Sequence, residues 1–255
     1  MSRIFITGST DGLGLATALS LLNDGHEVLL HARSRERAAV LDEIAPQAAG
    51  VVIGDLSIAT ETRDLAGQVN AHGRMDAVIH NAGVYLSPGR ITTPEGHSRT
   101  LAVNVLAPYI LTALIDRPRR LIYVSSGMHR GASGNLQDID WTERRWNAGT
   151  AYSESKLHVS ALSASVARHW PTVLSNAVDP GWVPTRMGGA GAPDDLAKGH
   201  ETQAWLAVSN DPDALVSGRY WYHRRQRLPA PEATDATFQD RLTAKLAELT
   251  GITLF

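Results

Sequence analysis

The chain has 255 residues and a mass of 27.5 kDa, which is enough for one large α/β domain or two small ones. A formal net charge of −2 disfavours the basic surface that binding to nucleic acid or to an anionic membrane requires. The absence of cysteine excludes disulfides, thiolate metal sites and a cysteine nucleophile. The first residues leave no room for a signal peptide, and no apolar run reaches membrane-spanning length, so we expect a cytoplasmic protein.

Short apolar segments alternate with longer amphipathic ones along the chain. The predicted strands span Arg3–Thr7, Glu27–Ala32, Gly50–Gly54, Asp76–Asn81, Arg120–Ser125 and Val173–Asp179. The predicted helices span Gly12–Asn23, Ser34–Ile44, Ser57–His72, Pro94–Ile115, Ala151–His169, Asp194–Val208 and Thr237–Leu249. Nearly continuous apolar strands are typical of a sheet covered on both faces. The alternation of strand and helix therefore predicts an α/β fold with a doubly wound parallel sheet.

Three loop stretches interrupt this alternation. Residues 127–149 contain Trp141 and Trp146 among glycines and charged residues, and residues 228–233 resemble a linker before the last helix. The glycine-rich start of residues 186–200 is a candidate lid over the substrate side. None has the character of a domain boundary, so we expect one domain spanning residues 1–255.

A glycine-rich loop, Thr7-Gly-Ser-Thr-Asp-Gly-Leu-Gly14, follows the first predicted strand and opens the first helix. Glycines let a backbone turn sharply and approach a pyrophosphate, while a helix N-terminus offers unpaired N–H groups. The alternative is an ordinary tight turn between strand and helix. A βαβ unit that continues behind the loop favours a dinucleotide site.

The end of the second strand indicates which dinucleotide binds. A carboxylate about 20 residues beyond the loop would bind the ribose 2′-hydroxyl of NAD, and none stands there. Arg33 can instead pair with the 2′-phosphate of NADP, although it is also compatible with a solvated residue at the start of the next helix. The negative charge of Asp11 in the glycine loop would lie near the 2′-phosphate, which disfavours NADP. We expect NADP, with NAD as the alternative.

Tyr152 and Lys156 are four residues apart on a predicted helix and therefore share one face. An ammonium beside a phenol stabilises the phenolate and lowers a pKa that is ordinarily about 10. Because the chain has only three lysines, such spacing is not frequent by chance. The pair predicts an acid/base group for proton transfer.

Taken together, these motifs resemble the short-chain dehydrogenase/reductase family, over Ile4 to about Tyr222. The matching segments are Thr7–Gly14, Gly54-Asp-Leu56, Asn81-Ala-Gly83, Val103-Asn-Val105, Val124-Ser-Ser126, Tyr152-x-x-x-Lys156 and Pro180-Gly-Trp-Val-Pro-Thr185. The spacing of the loop glycines is similar to the compact branch of the family. The resemblance implies a Rossmann-type domain that interconverts an alcohol and a carbonyl compound with a nicotinamide dinucleotide.

The resemblance also implies roles for four catalytic residues. Tyr152 would exchange a proton with the substrate oxygen as hydride moves, and Lys156 would lower the pKa of Tyr152 and hold the nicotinamide ribose. Ser126 would hydrogen-bond the substrate oxygen. Asn104 would hold a water that links Lys156 to solvent. As alternatives, the serines at 125 and 126 can satisfy backbone groups, and Asn104 can bond a helical carbonyl.

The cofactor-binding residues that the resemblance implies form a larger set. Asp55 and the backbone of Leu56 would contact the adenine. The segment Asn81–Gly83 would contact the adenine ribose, and Val183 and Thr185 would hold the carboxamide of the nicotinamide. The full set is Gly8, Ser9, Thr10, Asp11, Gly12, Leu13, Gly14, Arg33, Asp55, Leu56, Asn81, Ala82, Gly83, Tyr152, Lys156, Pro180, Gly181, Val183 and Thr185. The Asn81 and Pro180 segments are equally compatible with plain turns after strands. Ten histidines show no metal-ligand spacing, so we expect no metal.

One departure concerns the distance between Ser126 and Tyr152, which are 26 residues apart, more than in the most compact members of the family. In this the chain resembles retinol-dehydrogenase-like and WW-domain-oxidoreductase-like members. The extra loop either supplies pocket walls through Met128, His129, Trp141 and Trp146, or is a surface loop that its tryptophans anchor. Both interpretations remain open.

The leading hypothesis is an NAD(P)-dependent oxidoreductase, more specifically an NADP-dependent reductase, acting on CH–OH groups or carbonyls. The substrate pocket is expected to form from Tyr85, Leu86 and the loops over 127–149 and 186–200. The Tyr, Met and Trp side chains in these segments favour an apolar or aromatic small-molecule substrate. A non-catalytic dinucleotide-binding redox sensor is the alternative. The basic segment over 219–227 is either a solvated edge or a site for an acidic group. The resemblance further implies a homodimer or homotetramer through the Asn104 and Tyr152 helices.

Overall fold

One eight-stranded sheet forms the centre of the molecule. The computed structural model describes residues 1–85 and 89–255. Its strands are β1 (Arg3–Ile6), β2 (Glu27–Ala32), β3 (Gly50–Ile53), β4 (Ala77–His80), β5 (Arg120–Val124), β6 (Leu174–Asp179), β7 (Tyr220–Tyr222) and β8 (Arg225–Arg227). The spatial order is β3-β2-β1-β4-β5-β6-β7-β8. All neighbours are parallel except β7 and β8, which form an antiparallel hairpin.

Helices connect the parallel strands. They are α1 (Gly12–Asn23), α2 (Arg35–Ala38), α3 (Ala59–Ala71), α4 (Arg99–Leu101), α5 (Ala107–Leu114), α6 (Ala148–His169), α7 (Leu196–Val208), α8 (Pro231–Thr234) and α9 (Ala236–Thr250). A π-helical segment, Ala102–Leu106, joins α4 to α5. No helix in the described ranges is both long and apolar enough to cross a bilayer.

Side chains of the sheet alternate between two cores, as strand geometry requires. In β1, Ile4 and Ile6 pack with α1 and α7 on one face. Phe5 points to the other face, where α3, α5, α6 and α9 pack. The predicted doubly wound parallel sheet with helices on both faces is therefore confirmed.

Several boundaries differ from the prediction for identifiable reasons. The helix predicted over Ser34–Ile44 shrinks to α2 and a 3-10 turn, because no side chain of α2 is buried to hold it. The helix predicted from Pro94 begins at Arg99, where the Ser98 hydroxyl accepts a hydrogen bond from the Leu101 N–H. Strands β7 and β8 were not predicted, since three residues carry too little periodicity.

The C-terminal segment, residues 230–255, covers the outer side of α6. Helices α8 and α9 pack on α6, and Phe238, Leu242 and Leu246 of α9 join the same apolar core. The chain end continues over α5, where the Tyr109 hydroxyl donates to the Ile252 carbonyl at 2.8 Å. Helix α6 is consequently buried on nearly all sides within one chain.

Candidate active site

Helix α6 brings the predicted acid/base pair into the crevice at the carboxyl ends of the strands. The Asn147 side chain caps α6 by accepting from the Thr150 N–H at 2.9 Å. One turn later, Tyr152 and Lys156 are 8% and 4% exposed, and the Lys156 Nζ lies 5.5 Å from the Tyr152 ring centroid. The phenol and the amine thus share one buried site, as their spacing predicted.

The pKa values of this pair differ from the expectation. Burial raises the pKa of Tyr152 to about 12, opposed by hydrogen bonding from the Ser126 side chain and assisted by Asp179 and Tyr85. Burial also lowers the pKa of Lys156 to about 8. The predicted lowering of the Tyr152 pKa by Lys156 is not seen; the Lys156 Nζ donates to the Val124 carbonyl at 2.8 Å.

The two serines that end β5 have different environments. The Ser125 hydroxyl is buried against the Lys156 carbonyl at 3.0 Å and the Ser160 hydroxyl at 2.7 Å, which is a structural arrangement. Ser126 is partly exposed, and its side chain interacts with the Tyr152 phenol. Ser126 is therefore the serine that the structure brings to the predicted acid/base group.

Asn104 lies in the π-helical segment beside this site. Its Oδ1 accepts from the Val84 N–H at 2.8 Å, and its Nδ2 donates to the Val84 carbonyl and the Ser155 hydroxyl. A Cβ added to Gly83 would lie 3.4 Å from the Lys156 Nζ and 3.5 Å from the Asn104 Oδ1, so the three residues meet around Gly83. π-helical segments recur at functional sites, which agrees with this placement.

The glycine loop between β1 and α1 has the close packing that a dinucleotide site requires. A Cβ on Gly8, whose φ is +69°, would lie 3.1 Å from Ala82, and one on Gly14 would collide with the Gly8 carbonyl. Asp11 caps α1 by accepting from the Gly12 N–H at 2.7 Å. The other N–H groups of the first turn lack partners within the helix and can receive a phosphate, so the loop fits a dinucleotide.

The Asn81 segment supports the glycine loop rather than presenting its own amide to the crevice. The Asn81 Nδ2 donates to the Thr7 and Gly8 carbonyls at 3.0 and 3.3 Å. The Asn81 and Ala82 N–H groups both donate to the Thr7 hydroxyl at 3.0 Å. These bonds join the ends of β1 and β4, and they leave Gly83 facing Lys156.

The adenosine end of the predicted site holds two arginines. Arg33 is exposed at the end of β2. Arg37, which the prediction did not include, donates from its guanidinium to the Thr10 hydroxyl of the glycine loop at 3.2 Å. Asp55 follows β3, where its Oδ1 accepts from the N–H and hydroxyl of Ser57, and Leu56 is buried beside it. In the sequence, the position of Arg37 four residues after Arg33 could have indicated this second arginine.

The segment Pro180–Thr185 lies across the start of α1. A Cβ on Gly12 would lie 3.3 Å from the Thr185 methyl group, and one on Gly199 would lie within 3 Å of both Val183 and Leu13. Gly181 has a φ of +84° and donates its N–H to Asp179 at 3.0 Å. The predicted carboxamide-binding segment and the predicted phosphate loop therefore form adjacent walls of one crevice.

Asp179 was missed by the sequence interpretation, whereas Tyr85 was predicted to line the substrate pocket. The Asp179 carboxylate, 7% exposed at the end of β6, helps to raise the pKa values of Tyr152 and Tyr220. The Tyr85 ring packs on the Tyr152 ring with centroids 4.4 Å apart. The signal for Asp179 was its position directly before Pro180 at a strand end. Leu86, predicted to line the pocket, lies outside the described residues.

The loop over 127–149 has one of its two predicted roles, that of a surface loop anchored by buried side chains, while its role as a pocket wall stays a prediction. Trp141 is buried, donates from Nε1 to Glu154 at 2.9 Å and lies under the Arg144 guanidinium, so it is an anchor. His129 is fully buried and also an anchor. Met128, two residues after Ser126, is 41% exposed. Residues 186–195 are folded onto the crevice wall, where the Trp182 Nε1 donates to the Gly188 carbonyl.

Comparison with known proteins decides the family. The profile described as short chain dehydrogenase matches residues 2–195. The chain belongs to the short-chain dehydrogenase family. It is an oxidoreductase that acts on substrates of the CH–OH type and uses a nicotinamide dinucleotide, as its motifs predicted.

Individual relatives span nearly the whole chain. The short-chain dehydrogenase chyC of Penicillium rubens is 43% identical over 100% of this chain and 99% of its own length. Human retinol dehydrogenase 13 is 30% identical over 98% of this chain and 84% of its own. A blue fluorescent protein from a metagenomic library, solved in complex with NADPH, has a TM-score of 0.71 at 20% identity, covering 87% of this chain and 95% of its own. The predicted resemblance to retinol-dehydrogenase-like members is confirmed.

Proposed function

We propose that this short-chain dehydrogenase is an NADP(H)-dependent reductase that converts a carbonyl compound to an alcohol, with Tyr152 as general acid. The observation that carries the proposal is the convergence of Ser126, Tyr152 and Lys156 beside the glycine loop. A non-catalytic redox sensor is not favoured, because a sensor has no need of this assembled acid/base group.

The residues of the chain have separate tasks in this reaction. When bound, the nicotinamide supplies the hydride. Ser126 and Tyr152 hold the substrate oxygen through their hydroxyl groups, and Tyr152 releases its proton to that oxygen as negative charge develops. Burial raises the pKa of Tyr152 to about 12, so the phenol carries its proton at neutral pH, which is the form that a general acid in carbonyl reduction requires.

Lys156 and Asn104 maintain this arrangement. One proton of the Lys156 ammonium is used by the Val124 carbonyl, which leaves two for the ribose hydroxyls of the dinucleotide. Asn104 fixes the Val84 backbone and the Ser155 hydroxyl next to Lys156, and we propose that it also orders a water for proton supply. Burial keeps the pKa of Lys156 near 8, so the amine can lose a proton during turnover.

Three observations support NADP over NAD. Strand β2 ends without a carboxylate, and Arg33 and Arg37 both follow it. Arg37 already contacts Thr10 of the glycine loop. The carboxylate of Asp11 accepts from the Gly12 N–H, so the positive N-terminus of α1 partly compensates its charge.

The substrate is proposed to be an apolar or aromatic carbonyl compound. Trp182, Met128 and Met187 are 61%, 41% and 44% exposed on segments that border the crevice. The Tyr85 ring adds a further apolar surface directly over Tyr152. Large apolar side chains exposed together around a polar centre are typical of a ligand site.

Replacement of Tyr152 by Phe tests the proposal. A panel of aromatic ketones and aldehydes is screened with NADPH and NADH by the change in nicotinamide absorbance, and kcat/KM of the best substrate is measured. We expect Tyr152→Phe to lower kcat/KM at least about 100-fold, because the general acid is removed, while NADP⁺ affinity stays near that of the wild type.

Tyr222→Phe is the matched control, since it removes the same oxygen from a tyrosine of the edge hairpin. Its kcat/KM should equal that of the wild type. Retained turnover in Tyr152→Phe would remove Tyr152 from the mechanism.

A further inference from the structure

His31 is a buried histidine of β2 that lies under the predicted dinucleotide site without belonging to the catalytic group. It is 2% exposed. Its Nδ1 accepts from the Gly8 N–H at 2.8 Å, and its Nε2 lies 2.8 Å from the Gly54 carbonyl. Because an N–H group only donates and a carbonyl only accepts, the ring must be neutral with its proton on Nε2.

The backbone of His31 reinforces these ring contacts. The Ser9 N–H donates to the His31 carbonyl at 3.1 Å, and the His31 N–H donates to the Ser9 hydroxyl at 3.1 Å. The Ser9 hydroxyl in turn donates to the Ile6 carbonyl at 2.6 Å. One residue of β2 therefore fixes Gly8 and Ser9 of the glycine loop.

The two ring contacts join both ends of the nucleotide site. Gly8 begins the loop that is proposed to receive the pyrophosphate, and its φ of +69° sets the direction of that loop. Gly54 directly precedes Asp55 and Leu56, which are proposed to meet the adenine. Loss of either contact would release one wall of the site relative to the other.

We propose that His31 is a positioning residue for dinucleotide binding. Its neutral ring holds the glycine loop and the end of β3 in their binding geometry, and protonation of the ring releases the glycine loop. A protonated ring carries a hydrogen on Nδ1, which faces the Gly8 N–H and repels it. The inference rests on the proposed dinucleotide function. It adds a residue that touches no ligand and yet controls affinity.

The surroundings of the ring set the direction of this dependence. Burial lowers the pKa of His31, while the bond to the Gly54 carbonyl and the charge of Asp55, the titratable group that acts on the ring from the end of β3, oppose that effect. From β1 the ring meets the edge of Phe5, and from the loop it meets Gly8 and Ser9, none of which titrates. Since burial holds the folded pKa below its ordinary value, the ring is neutral at neutral pH, and its contribution is lost only as the pH falls through that lowered value.

Calorimetric titration with NADP⁺ and NAD⁺ between pH 7.5 and pH 5 tests the inference on the whole chain. We expect His31→Phe to weaken NADP⁺ binding about tenfold or more at neutral pH, because two buried bonds to the site are lost. His31→Asn, whose Oδ1 can still accept from the Gly8 N–H, should recover part of that loss. Wild-type affinity should fall as the medium is acidified, and this fall should be smaller in His31→Asn.

Two controls distinguish the effect of the His31 ring on dinucleotide affinity from other causes of a pH dependence. NAD⁺ lacks the 2′-phosphate, so acid weakening of NAD⁺ binding cannot come from protonation of that phosphate. His26→Asn is the matched variant, because the His26 Nδ1 also accepts a hydrogen bond from a backbone N–H, that of Ser2 at 3.1 Å, but at the amino end of β2, opposite the end that holds His31. It should keep the wild-type affinity and pH profile.

The possible outcomes are distinguishable. Equal NADP⁺ affinity for the wild type and His31→Phe, or a wild-type NAD⁺ affinity that is constant between pH 7.5 and pH 5, would overturn the inference and leave the proposed function intact. If His31→Phe does not fold, the pH profiles of the wild type and His31→Asn decide alone. A wild type that binds neither dinucleotide would overturn both proposals.

Discussion

At the scale of single residues, the arginines after β2 give the most direct control over cofactor choice. Arg37 contacts Thr10 of the glycine loop, and Arg33 is exposed at the strand end. A guanidinium pairs strongly with a phosphate and has no comparable partner in NADH. We therefore expect Arg33→Ala and Arg37→Ala each to weaken NADPH binding about tenfold while leaving NADH binding nearly unchanged, as measured by fluorescence titration.

Arg35→Ala provides the control, because Arg35 is exposed on the same short helix and makes no contact with the loop that the structure records. Its removal changes the net charge by the same amount. Equal weakening of NADPH binding and NADH binding in either test variant would contradict the proposal that this arginine binds the 2′-phosphate.

The residue scale also shows how far the sequence could lead. Tyr152, Lys156 and Ser126 were predictable, because helical spacing and the end of a strand bring them together whatever the loops do. His31 and Asp179 were not, since a lone histidine in a strand or an aspartate before Pro-Gly has many explanations. Their significance depends on which backbone groups lie opposite them, which only the folded chain determines.

At the scale of elements, helix α6 is held from the side opposite its catalytic residues. Glu154 is 1% exposed and accepts from the Arg144 Nη1 and Nη2 at 2.8 and 2.9 Å. It also accepts from the Trp141 Nε1 and the Ser133 hydroxyl. Arg144 also bonds Asp138, so residues 133–144 are fastened to the back of the helix. The long segment between Ser126 and Tyr152 therefore supplies the residues that anchor α6.

Loss of Arg144 should therefore destabilise the fold. Arg144→Met leaves the buried Glu154 carboxylate without its countercharge, and we expect the free energy of unfolding to fall by about 3 kcal/mol, measured by urea denaturation. Arg145→Met is the matched control, because the neighbouring Arg145 is exposed, and it should be close to neutral. Equal stabilities of the two variants would show that the buried pair contributes nothing.

Elements were predictable to the extent that they carry a repeating pattern. Six strands and the long helices follow from apolar segments of the right length. The Asn147 cap was not recognised, so α6 begins at Ala148, three residues before its predicted start at Ala151. The π-helical segment Ala102–Leu106 was not predicted, because its apolar residues have no pattern that distinguishes it from the α-helices on either side. Helix α8 was interpreted as a linker, since it is only one turn long and begins with Pro231.

At the scale of the whole molecule, the C-terminal segment changes the expectation of a homodimer or homotetramer through the Asn104 and Tyr152 helices. Phe238 packs beside His158 of α6, Phe255 stacks on His169, and Arg168 pairs with Asp240. The surface that two copies would share is therefore occupied by residues of the same chain. The sequence did not reveal this, because the last helix and α6 are far apart in the chain and their contact depends on tertiary packing.

We accordingly expect light scattering to give the mass of a single chain, 27.5 kDa, over a wide range of concentration. Association through α5 and α6 would require removal of α9, whose Leu242 and Leu246 are fully buried in the common core. A constant mass of two or four chains would contradict this expectation and point to a different surface.

The β7–β8 hairpin has a consequence for how the protein behaves when concentrated. Its turn places His223 and Arg224 at positive φ, and β8 presents Arg225, Gln226 and Arg227 to solvent as the last strand of the sheet. A strand so short and so strongly cationic is a poor template for recruitment of a further chain. The sheet therefore ends in a positively charged border that protects against growth into open-ended aggregates.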